Sequence, residues 1–163
     1  MNTPPKAPPS DDTVKQAAHK ALHRHAGQKG NLLPILHDVQ HALGYIPDTA
    51  VPLIAQAVQL SRAEVHGVIS FYPHFRQTPA AGVVLEVCRA ESCQAMGGEQ
   101  LAAHVQQKLG CDFHATSTDG KVTLEPVYCL GLCAQSPAVM VNGRPHARVT
   151  PAKLDQLLEA QGA

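Results

Sequence analysis

The chain has 163 residues, 44% of them hydrophobic, which is enough for one ordinary core or two small ones. Thirteen Lys and Arg balance thirteen Asp and Glu, aromatic residues make up only 4% and Trp is absent, so the sequence offers neither the basic excess of a nucleic-acid binder nor a base-stacking platform. No apolar run approaches the ~20 residues that cross a bilayer, and the N-terminal residues hold no apolar signal core, so the expected location is cytoplasmic, with no direct membrane insertion.

The first stretch, MNTPPKAPPS, carries four prolines and little to bury, and a disordered tail is expected over 1–10. Helical periodicity follows, giving an expected helical domain over 11–78. Asp12 or Thr13 is placed to cap a helix carrying Val14, Ala17, Ala18, Ala21 and Leu22. Asn31 is placed to cap a second, with Leu32, Leu33, Ile35, Leu36, Val39 and Leu43 inward and Gly44 as its stop. A third runs from about Asp48 to Leu60 with Pro52 in its first turn, where a missing N–H matters least. A fourth opens on Ser61-x-x-Glu64, a capping box. The connections are short, as in a small antiparallel bundle. The aromatics of FYPHF, residues 71 to 75, are expected to form domain-packing core, with a partner-facing patch as the alternative.

The pattern changes after QTPAAG, residues 77 to 82, and a second domain is expected over 82–163. Val83 to Val87 reads as a buried strand, and Gly97 to Leu109 as a helix ending at Gly110. Residues 113–127 read as two strands joined at Asp119-Gly120, the first spanning about 112–118. A second hairpin turns on Asn142-Gly143. Thr150 caps a last helix with Pro151 in its first position. A strand at 83–87, a helix and a strand at 122–127 make a right-handed parallel unit. Both strands then end on one edge of the sheet, in a thioredoxin-like arrangement. The expected class is α+β: a helical bundle followed by an α/β domain.

Cysteines sit at that edge. Cys88 and Cys93 form a C-x4-C pair after the first strand, and Cys129 and Cys133 a C-x3-C pair after the second. Five cysteines is an odd number, and Cys111 reads as a core thiol at the start of a strand. A reducing compartment disfavours a disulfide. A redox dithiol needs C-x-x-C at a helix start. Zinc favours tight C-x2-C knuckles, which are absent here. A [2Fe–2S] cluster takes four thiolates and tolerates wider loops, so spacing and topology favour it over zinc, the strongest competitor. The helix after Cys93 would present N–H groups to an anionic cluster. Gly97, Gly98 and Gly131 either let backbone approach the sulfurs or simply serve turns. Arg89 offsets charge, faces a partner, or is an ordinary surface cation. The ten histidines, including the i, i+4 pair His37 and His41, read as surface residues. No nucleotide, flavin or Ser–His–Asp motif occurs, so no catalytic residue is assigned.

Taken together, LLPILHDVQHALGYIP, EVHGVISFYPHF, the C-x4-C pair, CLGLC and the closing VTPAKLDQLL resemble the thioredoxin-like [2Fe–2S] subunit of respiratory complex I. Within that family CRAESCQAMG and CLGLCAQSPAV look most like the gamma subunit of soluble, molybdenum-containing, NAD-dependent formate dehydrogenases, with the subunit of NAD-reducing hydrogenases a near neighbour. The resemblance implies Cys88, Cys93, Cys129 and Cys133 as ligands of one [2Fe–2S] cluster. It further implies a flavoprotein partner with FMN, a [4Fe–4S] cluster and the NAD site, gripped by the helical domain. A molybdenum subunit would oxidise formate. A structural metal-binding assembly subunit is the alternative of another class.

Overall fold

The structure, a computed structural model, describes residues 9–163. The tail expected over 1–10 lies, apart from Pro9 and Ser10, outside the described residues. Two compact units follow each other along the chain, one ending at Pro79 and one running from Ala80 to Ala163. No helix among the described residues is long and apolar enough to cross a membrane.

The first unit is helical: α1 (Asp11–Arg24), α2 (Leu32–Leu43), a 3₁₀ turn at Asp48–Ala50, α3 (Val51–Val58) and α4 (Arg62–Phe71). Ser10, not Asp12 or Thr13, caps α1. Its extended backbone lets its hydroxyl accept from Thr13 N–H, and Asp11 and Asp12 instead complement the dipole in the first turn. Asn31 does stand at the start of α2, but its side chain donates to His25 O and leaves the helix uncapped. Gly44, at φ +86°, ends α2 as expected. The third helix is shorter than expected, because Gln59 turns left-handed at φ +58°. The α4 capping box is complete: Glu64 N–H donates to Ser61 Oγ at 3.2 Å, and Ser61 N–H to Glu64 Oε2 at 2.8 Å.

Ile35, Leu36, Val39, Ile54, Val65 and Ile69 close this unit's core. Buried Gln40 ties in the chain after α4: its Nε2 donates to His74 O and its Oε1 accepts from Arg76 N–H, both at 2.7 Å. The three aromatics of FYPHF stay in edge contact, at 5.1 and 6.1 Å between successive ring centroids, but differ in burial. Phe75 is buried, whereas Phe71 is 75% and Tyr72 40% exposed. The helix ends at Phe71 and Tyr72 goes extended, so only Phe75 turns back onto the core.

The second unit is a five-stranded sheet, β1 (Val83–Cys88), β2 (Ala115–Thr116), β3 (Val122–Val127), β4 (Val139–Val141) and β5 (Arg144–His146), in the order β2-β3-β1-β4-β5. β1 and β3 run parallel, from Val83 opposite Val122 to Cys88 opposite Val127. The remaining pairs are antiparallel. The helix expected from Gly97 begins earlier: α5 (Glu91–Cys93) runs into a π turn at Gln94–Gly98, broken at Met96 and Gly97, and then into α6 (Glu99–Leu109). Leu85, Val87, Leu124, Val139 and Val141 line one face of the sheet. They pack with Leu101 and Val105 of α6 and with Leu154 and Leu158 of α7 (Pro151–Glu159). Each such leucine contributes about 2–5 kcal/mol against truncation to Ala.

The strand expected over 112–118 shrinks to Ala115–Thr116, since His114 sits at φ +64° and Ser117 turns its hydroxyl to accept from Val122 N–H. Asn142 and Gly143, both at positive φ, make the expected hairpin turn, and Asn142 Oδ1 also accepts from Val84 N–H. Thr150 caps α7 through Lys153 N–H.

Candidate metal centre

Parallel pairing of β1 and β3 brings the chain after each to one edge of the sheet. Cys88 is the last residue of β1, and its N–H donates to Ala138 O, fastening β1 to the loop before β4. Arg89 N–H donates to Val127 O at 2.8 Å, holding the exits of β1 and β3 side by side. Cys93 lies in the α5 turn. Cys129 and Cys133 belong to the loop leaving β3, where a 3₁₀ turn starts at Cys133.

The four thiols fall into two pairs with opposite surroundings. Cys88 and Cys93 are each 3% exposed and pack with Ala138, with Leu130 and Leu132 around them. Cys129 and Cys133 are exposed, with their sulfurs 3.5 Å apart. Two thiolates on one tetrahedral metal with bonds of about 2.3 Å stand roughly 3.8 Å apart, so the outer pair is spaced as ligands of one ion. Among the described residues no three His, Cys, Asp or Glu side chains are grouped for a single ion. A binuclear cluster instead takes two thiolates on each iron, the grouping the pairs present.

Hydrogen bonds knit the two loops together. Burial pushes the Cys88 thiol up, but the N–H of Ala90, the Cys93 side chain and the N–H groups of Cys129 and Leu130 outweigh it, and the group ends below its ordinary value. Two of those donors come from the opposite loop. Cys93 is raised, first by burial and then by its Cys88 neighbour, against the lowering pull of Ser136 and Ala138 N–H. Cys133 is raised by its hydrogen bond with Cys129 and then by that thiol's charge, with Cys93 and Cys88 adding more distant repulsion. Four thiols gathered at one sheet edge suit a cation-rich centre that takes them as thiolates.

The backbone is shaped to the site. A Cβ on Gly98 would lie 2.5 Å from Cys93 O, so only glycine lets α6 start against the Cys93 turn. Gly131 sits at φ +76° and its N–H donates to Cys129 Sγ at 3.4 Å, which unites the two roles expected of it. Cys129 itself stands at φ +93°. A non-glycine residue there stores about 1–3 kcal/mol, and such positions gather at ligand sites.

Other candidates resolve away from the thiols. Cys111 is half-buried against the sheet core, its thiol raised by burial. Arg89 pairs with both oxygens of Glu99 at 2.8 and 2.9 Å and lies over the Phe113 ring, so its charge is taken up within the chain. His25, His104 and His114 face carboxylates, while His37 stacks on His74 and Phe75. Sequence reasoning missed Ser92 and Ser136, whose hydroxyls lie 2.9 Å apart between the two loops. Their only signal is position inside the two cysteine segments.

Comparison with known proteins agrees with this geometry. The chain is 31% identical to an NADH-quinone oxidoreductase component of Pseudomonas aeruginosa, over 91% of its own length and 90% of that protein. It is 29% identical to the HndA component of the NADP-reducing hydrogenase of Solidesulfovibrio fructosivorans, over 80% and 77% respectively. Among solved structures, an NAD+-reducing [NiFe]-hydrogenase in its H2-reduced state aligns with a TM-score of 0.63 at 29% identity, over 78% of this chain. The match covers 21% of the hydrogenase chain, so this protein spans about a fifth of it. Residues 18–161 match the model of the thioredoxin-like [2Fe-2S] ferredoxin family. The protein belongs to that family, whose cofactor is a [2Fe–2S] cluster.

Proposed function

We propose that Cys88, Cys93, Cys129 and Cys133 hold the [2Fe–2S] cluster, and that the chain serves as an electron-transfer subunit beside the flavin and NAD module of a larger, cytoplasmic oxidoreductase. The observation that carries this reading is the convergence of two thiol pairs on one sheet edge, with Ser92 of the first loop hydrogen-bonded to Cys133 O and Ser136 of the second. When bound, the cluster takes up and returns one electron. The chain's own residues bury the inner sulfurs among Ala138, Leu130 and Leu132, keep water from them, and leave the outer sulfurs at the surface for a partner. Two irons and two acid-labile sulfides per chain are expected, with a brown colour and a rhombic EPR signal on reduction; a colourless zinc protein would overturn the ligand assignment.

The partner is a flavoprotein subunit with FMN, a [4Fe–4S] cluster and the NAD site. The catalytic subunit is the molybdenum subunit of an NAD-dependent formate dehydrogenase. This finer reading rests on the loop residues RAES and AQSPA, which flank the thiols. The named relatives favour a second reading, the same electron-transfer role in an NADH:quinone oxidoreductase or an NAD-linked hydrogenase. Native purification followed by assays with formate, hydrogen and NADH–quinone separates them. Activity with formate and NAD supports the first, and activity with hydrogen or quinone replaces it. A cluster that stays oxidised when NADH is added to the complex would point instead to a structural, assembly role.

A further inference from the structure

Four polar groups meet where the two cysteine loops touch. Ser136 Oγ lies 3.6 Å from Cys93 Sγ, 2.9 Å from Ser92 Oγ and 2.9 Å from Cys133 O. Ser92 Oγ lies 3.0 Å from that same carbonyl oxygen. Each serine has one proton to donate. As a thiol, Cys93 donates to Ser136 Oγ, and both hydroxyls are free to point at Cys133 O. As a metal ligand, Cys93 has no proton, and its contact with Ser136 persists only if the hydroxyl reverses and donates to sulfur. A hydrogen bond to an ionised acceptor is about twice as strong as a neutral one, so the reversal is favoured. Ser92 then serves both vacated roles: its proton is shared between Ser136 Oγ and Cys133 O. The result is a short chain, Ser92 to Ser136 to Cys93, in which each bond polarises the next.

We infer that Ser136 donates a hydrogen bond to the buried Cys93 sulfur in the cluster-bearing protein, and that Ser92 is the positioning residue that holds Ser136 in that direction. The inference rests on Cys93 being a cluster ligand. Hydrogen bonds to cluster sulfurs favour the reduced, more negative state, so this pair raises the reduction potential.

The test is an EPR-monitored redox titration of the full chain carrying its cluster, with iron and sulfide counted in every sample. Ser136→Ala is expected to weaken reduction three- to tenfold, the upper figure being about 59 mV for a one-electron couple. Ser136→Thr keeps the hydroxyl and should keep the wild-type potential. Ser92→Ala should shift the potential the same way but less. Because Ser92 acts only through Ser136, adding Ser92→Ala to Ser136→Ala should change nothing further. Ser136→Ala with a full cluster at the wild-type potential overturns the inference, as do additive shifts in the double variant. If Ser136→Ala fails to retain iron, Ser92→Ala decides, and the wild-type potential there is equally fatal. A wild-type chain without two irons and two sulfides would instead show that the ligand reading itself is at fault.

Discussion

Gly98→Ala isolates how closely the α6 start is fitted to the Cys93 turn. The added methyl would lie 2.5 Å from Cys93 O and 2.8 Å from Cys93 C. Both are backbone atoms, so no side-chain rotation relieves the contact. Overpacking of this kind costs about 1–3 kcal/mol, and a backbone clash belongs at the upper end. Alanine regains about 1 kcal/mol of helix propensity, which leaves a net loss of about 1–2 kcal/mol. For a domain of 60–100 residues each kcal/mol lowers Tm by about 4–8 °C, so the expected fall is about 4–16 °C. The relief available is movement of the Cys93 turn, so iron should also leave faster in the presence of a chelator. Gly82→Ala is the control: its Cβ meets nothing within 4 Å and its φ is ordinary. There the lost freedom of the unfolded chain should stabilise by about 0.4–1 kcal/mol. Calorimetry and chelator kinetics on the two variants decide the matter. A Gly98→Ala protein that melts at the wild-type temperature and keeps iron as long would refute the close-approach argument.

Serine at Cys88, Cys93, Cys129 or Cys133 should abolish or strongly diminish the cluster absorbance, whereas Cys111→Ser, whose thiol packs on the sheet core, should leave iron and sulfide content unchanged. Gly67→Ala places a methyl in open space on α4 and should raise the urea midpoint of the helical unit by the equivalent of about 0.5–1 kcal/mol. Asp155 joins α7 to α6 by accepting from His104 at 2.9 Å and lying 3.2 Å from Lys108 Nζ. The His104 bond, opposed by partial burial and helped by Lys108, holds its carboxyl below the ordinary 3.8. A depressed folded value means that this stabilisation is present above 3.8 and is lost as pH falls through the folded value. With the pair about a third exposed, Asp155→Asn should destabilise by less than about 1 kcal/mol at neutral pH, and should remove that part of the acid-side slope in a stability-against-pH series.

What was legible in the sequence follows the range of the forces concerned. Ser61 with Glu64, Gly44, Asn142-Gly143 and Thr150-Pro151 are local devices whose partners lie within four residues, and each forms as read. The parallel β1–β3 pairing was also readable, because a strand, helix and strand close only one way. Reading failed where a side chain had a competing partner, near or far along the chain. Arg89 finds Glu99 and Phe113, and Ser117 withdraws from the strand to serve Val122 and Asp119. Ala90, Leu130 and Ala138 act on the thiols through backbone groups, which any residue type carries. The thiols were readable because their chemistry sits in side chains, whereas the donors around them had no side-chain signature.

The unequal exposure of the two pairs gives the site its direction. Cys88 and Cys93, each 3% exposed, sit where field effects are stronger than at the surface, so small changes in hydrogen bonding there alter the energy of an added charge. The outer sulfurs lie at the surface beside Tyr128, which is 65% exposed. Cys129 and Leu130 connect the regions, because the loop that carries the outer thiols also donates two N–H groups to Cys88. That loop holds its course through positive φ at Cys129 and Gly131. The Cys129 and Leu130 amides thus join the exposed and the buried halves of the thiol group within one loop.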